Sequence, residues 1–389
     1  MTIKDIKNTK PRVKTVYSNT LGIQLYGEDN LYPQEMEKHI AASSTGSICL
    51  ERYATFIEGN GLNDSGFANF VCNRDGETMD DVFHLVAQDV AKHNGFAFHV
   101  YYDDSFRICE LQHVPFKACR LKEETEDGKV RFIVYHPDWS GKKTRNGKQL
   151  RVDKKTVQEI YTFNPNKQVV ADEIDKDGGL QNFRGQILWV SLEGGYQYPK
   201  SIFDKCITNI STDEGLDNVQ YRNVRNNFLP GGMLIRKKGL SIAIDEDGTQ
   251  TTECDTSETM RENLATFQGD ENTGAILDIE IAQDEDKPEW IPIEAVNFDK
   301  KFDITDDRVT EKIYSAFGQE PFLMIRKGKT GFSGSVIKDA YDYYNSYVAR
   351  ERNVISRSLK RISENWNSII NINGDYSIQP LVLINQSEK

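Results

Sequence analysis

The hydrophobic period of this chain changes several times along its 389 residues, and each change limits what the adjoining segment can fold into. From Tyr32 to Gly61 the apolar residues Met36, Ile40, Ile48, Tyr53 and Ile57 recur near helical spacing, which gives a helix one buried face. Pro33 suits a first helical turn, and Gly59 with Gly61 ends the segment. A second helix starts at Thr78, whose spacing from Asp81 is that of a capping pair, and continues through Val82, Phe83, Val86 and Val90 to Gly95.

Beyond Gly95 the period shortens. FAFHVYY, RICELQH, FKACRL, VRFIVYH, VQEIYTF and QILWVSL are short, rich in β-branched and aromatic residues, and separated by turn signals such as Asp127-Gly128 and Asn146-Gly147. This predicts an antiparallel β region over about residues 96–192. Helical spacing returns at Ile202, Cys206, Ile210, Leu216, Val219, Val224 and Phe228, and Pro230-Gly231-Gly232 stops it. Met233 to Ile235, GAILDIEI and EWIPIEA read as strands, and SETMRENLATFQG as a short helix between them. A third long helix carries Phe298, Phe302, Val309, Ile313 and Phe317 on one stripe, with Gly318 and Pro321 as its terminators. The last helix is expected from Ser335 to Trp366, and the tail NGDYSIQPLVLIN as a hairpin or lone strand. The fold class is therefore α+β.

Charge narrows the function classes. The net charge is −12, which argues against a protein that wraps nucleic acid with a basic face. The charge is also localised: Asp245 to Glu294 holds 16 acidic residues against Arg261 and Lys287, so this stretch carries −14 and the remainder +2. No run of about eighteen apolar residues offers a membrane span, and the first thirty residues lack the apolar core of a secretion signal. Those residues, 1–30, read as an arm, either docked on a neighbouring subunit or solvated. The six cysteines form no CxxC pair and read as reduced thiols of a protein made in cytosol.

Recognisable catalysis is missing from the sequence. No phosphate-binding glycine loop, GxSxG elbow or HExxH is present, and His39, His84, His93, His99, His113 and His136 never pair at ligand spacing, so each reads as structural. No metal or cofactor is expected. The runs Asp245-Glu246-Asp247 and Asp284-Glu285-Asp286 read as solvated turns ahead of cation sites. One rival class stays open at this level, a carboxylate-dependent hydrolase of α+β fold.

Four local patterns, in order, carry a resemblance. A strand ending at Val190 to Leu192 leads through GGYQYPKSIFDKCI into a long helix, and that helix leaves through NVRNNFLPGGML. GAILDIE and EWIPI precede FDKKFDITDDRVTEKIYSAFGQEPFLMI, and FSGSVIKDAYDYYNSYVARERNVISRSLKRI closes the series. This order resembles the portal proteins of HK97-type tailed bacteriophages, the head-to-tail connector family, over about residues 31–366. Gln319-Glu320-Pro321 stands where that family usually has Val-Pro-Pro. A second rival class is another virion structural component, such as an adaptor.

The resemblance implies a non-enzymatic subunit of a dodecameric ring around a duplex DNA channel at a capsid vertex. Its implied partners are further copies of itself, large terminase, a head-completion adaptor and the major capsid protein, with no membrane. It implies a wing over 31–200, stem helices over 201–228 and 298–318, a clip over 229–297, a tunnel loop over 319–334 and a long wing and crown helix over 335–366, followed by a tail over 367–389. The two stem helices would lie antiparallel. Arg326, Lys327 and Lys329 would then face DNA, and Asp245, Glu246, Asp247, Asp284, Glu285 and Asp286 would face adaptor or terminase. Arg222 and Arg225 against Asp303, Asp306 and Asp307 would link neighbouring stems or pair within one subunit.

Overall fold

The computed structural model describes residues 15–126, 128–142, 144–145, 148–225, 232–235, 241–244, 250–253, 289–292, 298–329 and 334–383. The chain divides into two compact units, Met1–Ser211 with Thr310–Lys389 and, separately, Thr212–Val309.

The first unit opens with a hairpin, β1 Thr15–Ser18 and β2 Ile23–Tyr26, which is followed by α1 Tyr32–Ala42 and α2 Ser44–Glu58. The expected single helix is thus two, because Ser43 turns extended (φ −98°, ψ 121°) and its side chain caps α2 by accepting from Gly46 N at 2.9 Å. After the short α3 Ser65–Ala68 comes α4 Met79–His93, whose capping box is the expected one: Asp81 N donates to Thr78 Oγ1 and Thr78 N to Asp81 Oδ2. Val82, Phe83, Val86 and Val90 of α4 are all buried.

The sheet is built from β3 Gly95–Tyr102, β4 Ile108–Val114, β5 Cys119–Leu121, β6 Phe132–Tyr135, β9 Gln158–Thr162 and β10 Gln186–Ser191, with a small ribbon of β7 Thr144–Arg145 and β8 Lys148–Gln149 beside the sequence of β6. Its order is β4-β3-β10-β9-β6-β5, antiparallel throughout except where β10 runs parallel to β9. That pair corrects the wholly antiparallel expectation. A parallel neighbour needs a crossover, and α5 Lys167–Lys176 supplies it, capped by Asn166.

The expected arm over 1–30 is also corrected in its second half. Ile23 and Tyr26 are fully buried, and β2 bridges the sheet edge at Lys122. Tyr26 stacks between Tyr32 and Tyr198 with centroids at 5.2 and 4.1 Å. Arg120 fixes this corner from within. It is fully buried and donates to Asn30 Oδ1 and O, each at 2.6 Å, to Lys117 O at 2.9 Å and to Cys119 O at 2.7 Å. Burial lowers its guanidinium to about 10, and these carbonyl oxygens replace the hydration lost.

α6 Ile207–Arg225 carries the chain across the division at Ser211 and Thr212. The backbone described in the second unit includes β11 Gly232–Ile235, β12 Ser241–Ile244, β13 Gln250–Glu253 and β14 Glu289–Pro292. β11 pairs antiparallel with β14, and β12 with β13. The strand expected over GAILDIEI and the helix over SETMRENLATFQG lie outside the described residues. α7 Phe298–Ala316 returns the chain to the first unit at Thr310.

There α8 Glu320–Arg326, α9 Gly334–Tyr347 and α10 Ala349–Ser363 follow. The long helix expected over 335–366 is broken at Val348, a fully buried residue at φ −89°, ψ 5°, in the bridge region between helix and strand. The tail pairs with the loop after α2: Asn60 N donates to Gln379 O, Gln379 N to Gly61 O and Asn63 N to Ser377 O. Among the described residues no helix is long and apolar enough to cross a membrane.

Candidate functional site

The segment expected to face DNA begins where α7 ends, and its position is set by a buried amide. Ile313 and Tyr314 in the last turn of α7 and Phe317 just past it are buried. Gly318 then adopts φ +66°, and a Cβ on it would sit 2.5 Å from Cε2 of Tyr347, so the backbone passes over that ring only as glycine. Gln319 follows with no exposed surface. Its Nε2 donates to Cys49 O of α2 at 2.7 Å and to Tyr344 Oη of α9 at 2.8 Å, and its Oε1 accepts from Arg52 Nη1 at 2.8 Å. Tyr344 Oη in turn donates to Phe317 O at 3.0 Å. Burial pushes the Tyr344 phenol well above its ordinary range, so it stays a neutral donor.

α8 grows out of this anchor. Pro321 lies in its first turn, where a missing N–H costs nothing. Leu323 and Ile325 are buried, and Phe322 meets Tyr344 edge-on with centroids 5.5 Å apart. The Arg52 guanidinium lies 4.9 Å from the Phe322 ring centre, a cation–π contact added to its bond with Gln319. The helix ends in a Schellman turn: Gly328 at φ +67° donates to Ile325 O, and Lys329 N to Met324 O, both at 3.0 Å.

The loop expected over 319–334 therefore starts as a helix, and Pro321 opens that helix rather than closing the one before it. The basic residues sit on its closing turn. Arg326 is exposed, and its Nη1 reaches Tyr314 Oη at 3.3 Å. Lys327 is half-buried and pairs with Glu311 at 2.9 Å. Lys329 is exposed.

The other expected site residues are placed less closely. Arg222 and Arg225 lie in the last turn of α6, with side chains outside the described set. Asp303 and Asp307 are exposed on α7 and Asp306 is half-buried. Asp245, Glu246, Asp247, Asp284, Glu285 and Asp286 lie outside the described residues. Of the six histidines, His113 meets Asp89 at 2.8 Å, His84 meets Glu58 at 2.9 Å, His93 meets Glu37 at 3.4 Å and His99 meets Arg184 O at 2.6 Å. Among the described residues no group of three His, Cys, Asp or Glu is placed to hold a metal ion.

Sequence reasoning missed Gln319, Arg52 and Tyr344 as the anchor. The one local signal was the Pro321 to Gly328 spacing, proline just inside and glycine just past a short helix.

No protein-family model matches the chain, and no curated protein matches it. Solved structures of similar shape include a chain of the neck of a native gene transfer agent particle computed with C12 symmetry, at 15% identity and TM-score 0.47, covering 92% of this chain and 85% of that one. A chain of the virion of the native gene transfer agent particle is similar at 14% identity and TM-score 0.46, covering 85% and 81%.

Proposed function

We propose that this chain is a structural protein of a phage head-to-tail junction and, within that class, a portal subunit. Copies close into a ring, most simply a dodecamer, at one vertex of the capsid. Duplex DNA passes through the ring during packaging and ejection. The turn carrying Arg326, Lys327 and Lys329 lies toward the DNA, and the acidic stretch from Asp245 to Glu294 lies toward large terminase and a head-completion adaptor. The major capsid protein surrounds the ring, assembly takes place in the host cytoplasm, and the chain itself performs no catalysis.

The observation that carries this reading is where the chain divides. Both divisions, at Ser211 and Thr212 and at Val309 and Thr310, fall inside the helices the resemblance assigns to the stem. The segment with −14 is confined to the excursion between those helices. A basic turn fixed by a buried anchor follows the second of them.

The charge pattern suits a conduit. Each neutralised phosphate adds salt-dependent affinity, and a channel through which DNA moves needs few such contacts. Pairing of Lys327 with Glu311 moderates the basic turn. Light scattering of the purified 44.4 kDa chain tests the proposal. A mass near a dozen chains is expected, and a monomer or dimer at every concentration would contradict it.

A further inference from the structure

The tip of the β3–β4 hairpin holds an aromatic side chain in a backbone conformation that such residues avoid. Phe106 has φ +58° and is 36% exposed. Its N donates to Asp103 O at 3.0 Å, and Asp103 N to Arg107 O at 2.9 Å, which makes a turn with one left-handed residue where glycine is the ordinary choice. Asp103 locks the turn by accepting from Ser105 N, Ser105 Oγ and Arg107 N. Strain of this kind persists where surrounding bonds over-determine it and tends to mark contact sites. Asp104, two residues earlier, is exposed. The tip thus offers one carboxylate and one aromatic ring to solvent.

A complementary surface lies in the same unit on α10, whose continuation through Asn365 and Trp366 bonds Ile108 and Arg107 at the base of this hairpin. A cleft of about 450 Å³ is lined by Phe163, Leu188, Tyr196 and Val354 together with Arg357 and Arg361. The two arginines are exposed and lie one helical turn apart on α10, and among the described residues neither is paired with an acid. Arg357 Nε is held by Asn353 O at 3.1 Å, and the Arg361 guanidinium lies 5.5 Å from the Phe163 ring centre. Trp189 and Ser191 also line the cleft, and their buried Nε1 and Oγ have no hydrogen-bond partner among the described residues.

We infer that the Asp104-Ser105-Phe106 tip of one copy docks in the Arg357 and Arg361 cleft of the next. The carboxylate meets the guanidinium pair, and the Phe106 ring enters the apolar part of the cleft. The contact joins two different surfaces, which is what lets head-to-tail association close into a ring. Complementary charge across such a contact also sets partner choice. The inference rests on the ring-forming reading above, but it makes separate predictions.

The test is sedimentation of the full chain over a concentration series with Asp104→Arg, Arg361→Asp and the two combined. Each single change is expected to weaken association by more than about tenfold, and the combination to restore most of it. Phe106→Gly is expected to raise the Tm, by relieving the turn, while weakening association. Wild-type association in all variants, a double variant no better than the singles, or unchanged association in Phe106→Gly overturns the inference alone. A wild-type chain that stays monomeric overturns both it and the portal reading. Open or small oligomers that obey the charge swap support the contact and overturn the portal.

Discussion

A buried amide with three partners stabilises more through what its loss exposes than through what it adds. Replacing Gln319 by leucine keeps much of the volume but leaves Arg52 Nη1 and Cys49 O without their bonds and deprives Tyr344 Oη of a donor. Each stranded group costs its desolvation. Gln319→Leu is therefore expected to lower stability by roughly 2–4 kcal/mol in chemical denaturation, with Tyr344→Phe costing less because one bond pair is lost. Glu37 makes a different claim. Burial alone would raise its carboxyl, but His93 and Lys117 beside it overturn that and lower it to about 2, from an ordinary 4.5. A carboxyl depressed on folding adds stability above pH 4.5, and that stability is lost as the pH falls toward 2. Glu37→Gln should flatten this part of the acid-unfolding curve. Neither residue could be singled out from sequence as an anchor: Gln319 finds its partners 270 and 25 positions away, whereas the Thr78 and Asp81 cap was legible because both halves lie within one turn.

The same contrast between local and distant causes governs the elements. Gly318 and Gly328 both have positive φ, but a Cβ on Gly318 meets the Tyr347 ring at 2.5 Å while one on Gly328 meets nothing within 4 Å. Gly328→Ala should cost about 1 kcal/mol, the left-handed penalty alone. Gly318→Ala should cost roughly 2–4 kcal/mol, because overpacking adds to that penalty. Thermal unfolding of the two variants side by side checks the order, and equal losses would mean the ring yields freely. Helices with a strong stripe and a cap were readable: α4 and the hydrophobic face of α7 follow their patterns. α5 was not, since only Val170 and Ile174 of its ten residues are buried, too few to set a period. Without α5 there is no crossover, so the parallel β9–β10 pair was equally hidden. The break at Val348 has no glycine or proline to announce it, and periodicity alone runs straight through a buried valine.

At the scale of the whole molecule, charge distribution and chain order carry the account. The −14 segment between α6 and α7 is a property of composition and was fully visible in sequence. Helices flank it on both sides with the unit boundaries inside them, although the first begins at Ile207 and not at the expected Ser201, because a separate turn over Asp204–Cys206 precedes it. If that segment docks basic surfaces of an adaptor or terminase, its association rate should fall steeply between low and physiological salt, as electrostatic steering is screened. A rate independent of salt would remove the charge argument while leaving the ring intact. The ring itself is the central claim, and electron microscopy of the purified full-length chain tests it most directly. End-on views of closed rings are expected, most simply twelvefold, with an open centre wide enough for duplex DNA, and a field of single particles or dimers without a central opening would contradict the ring.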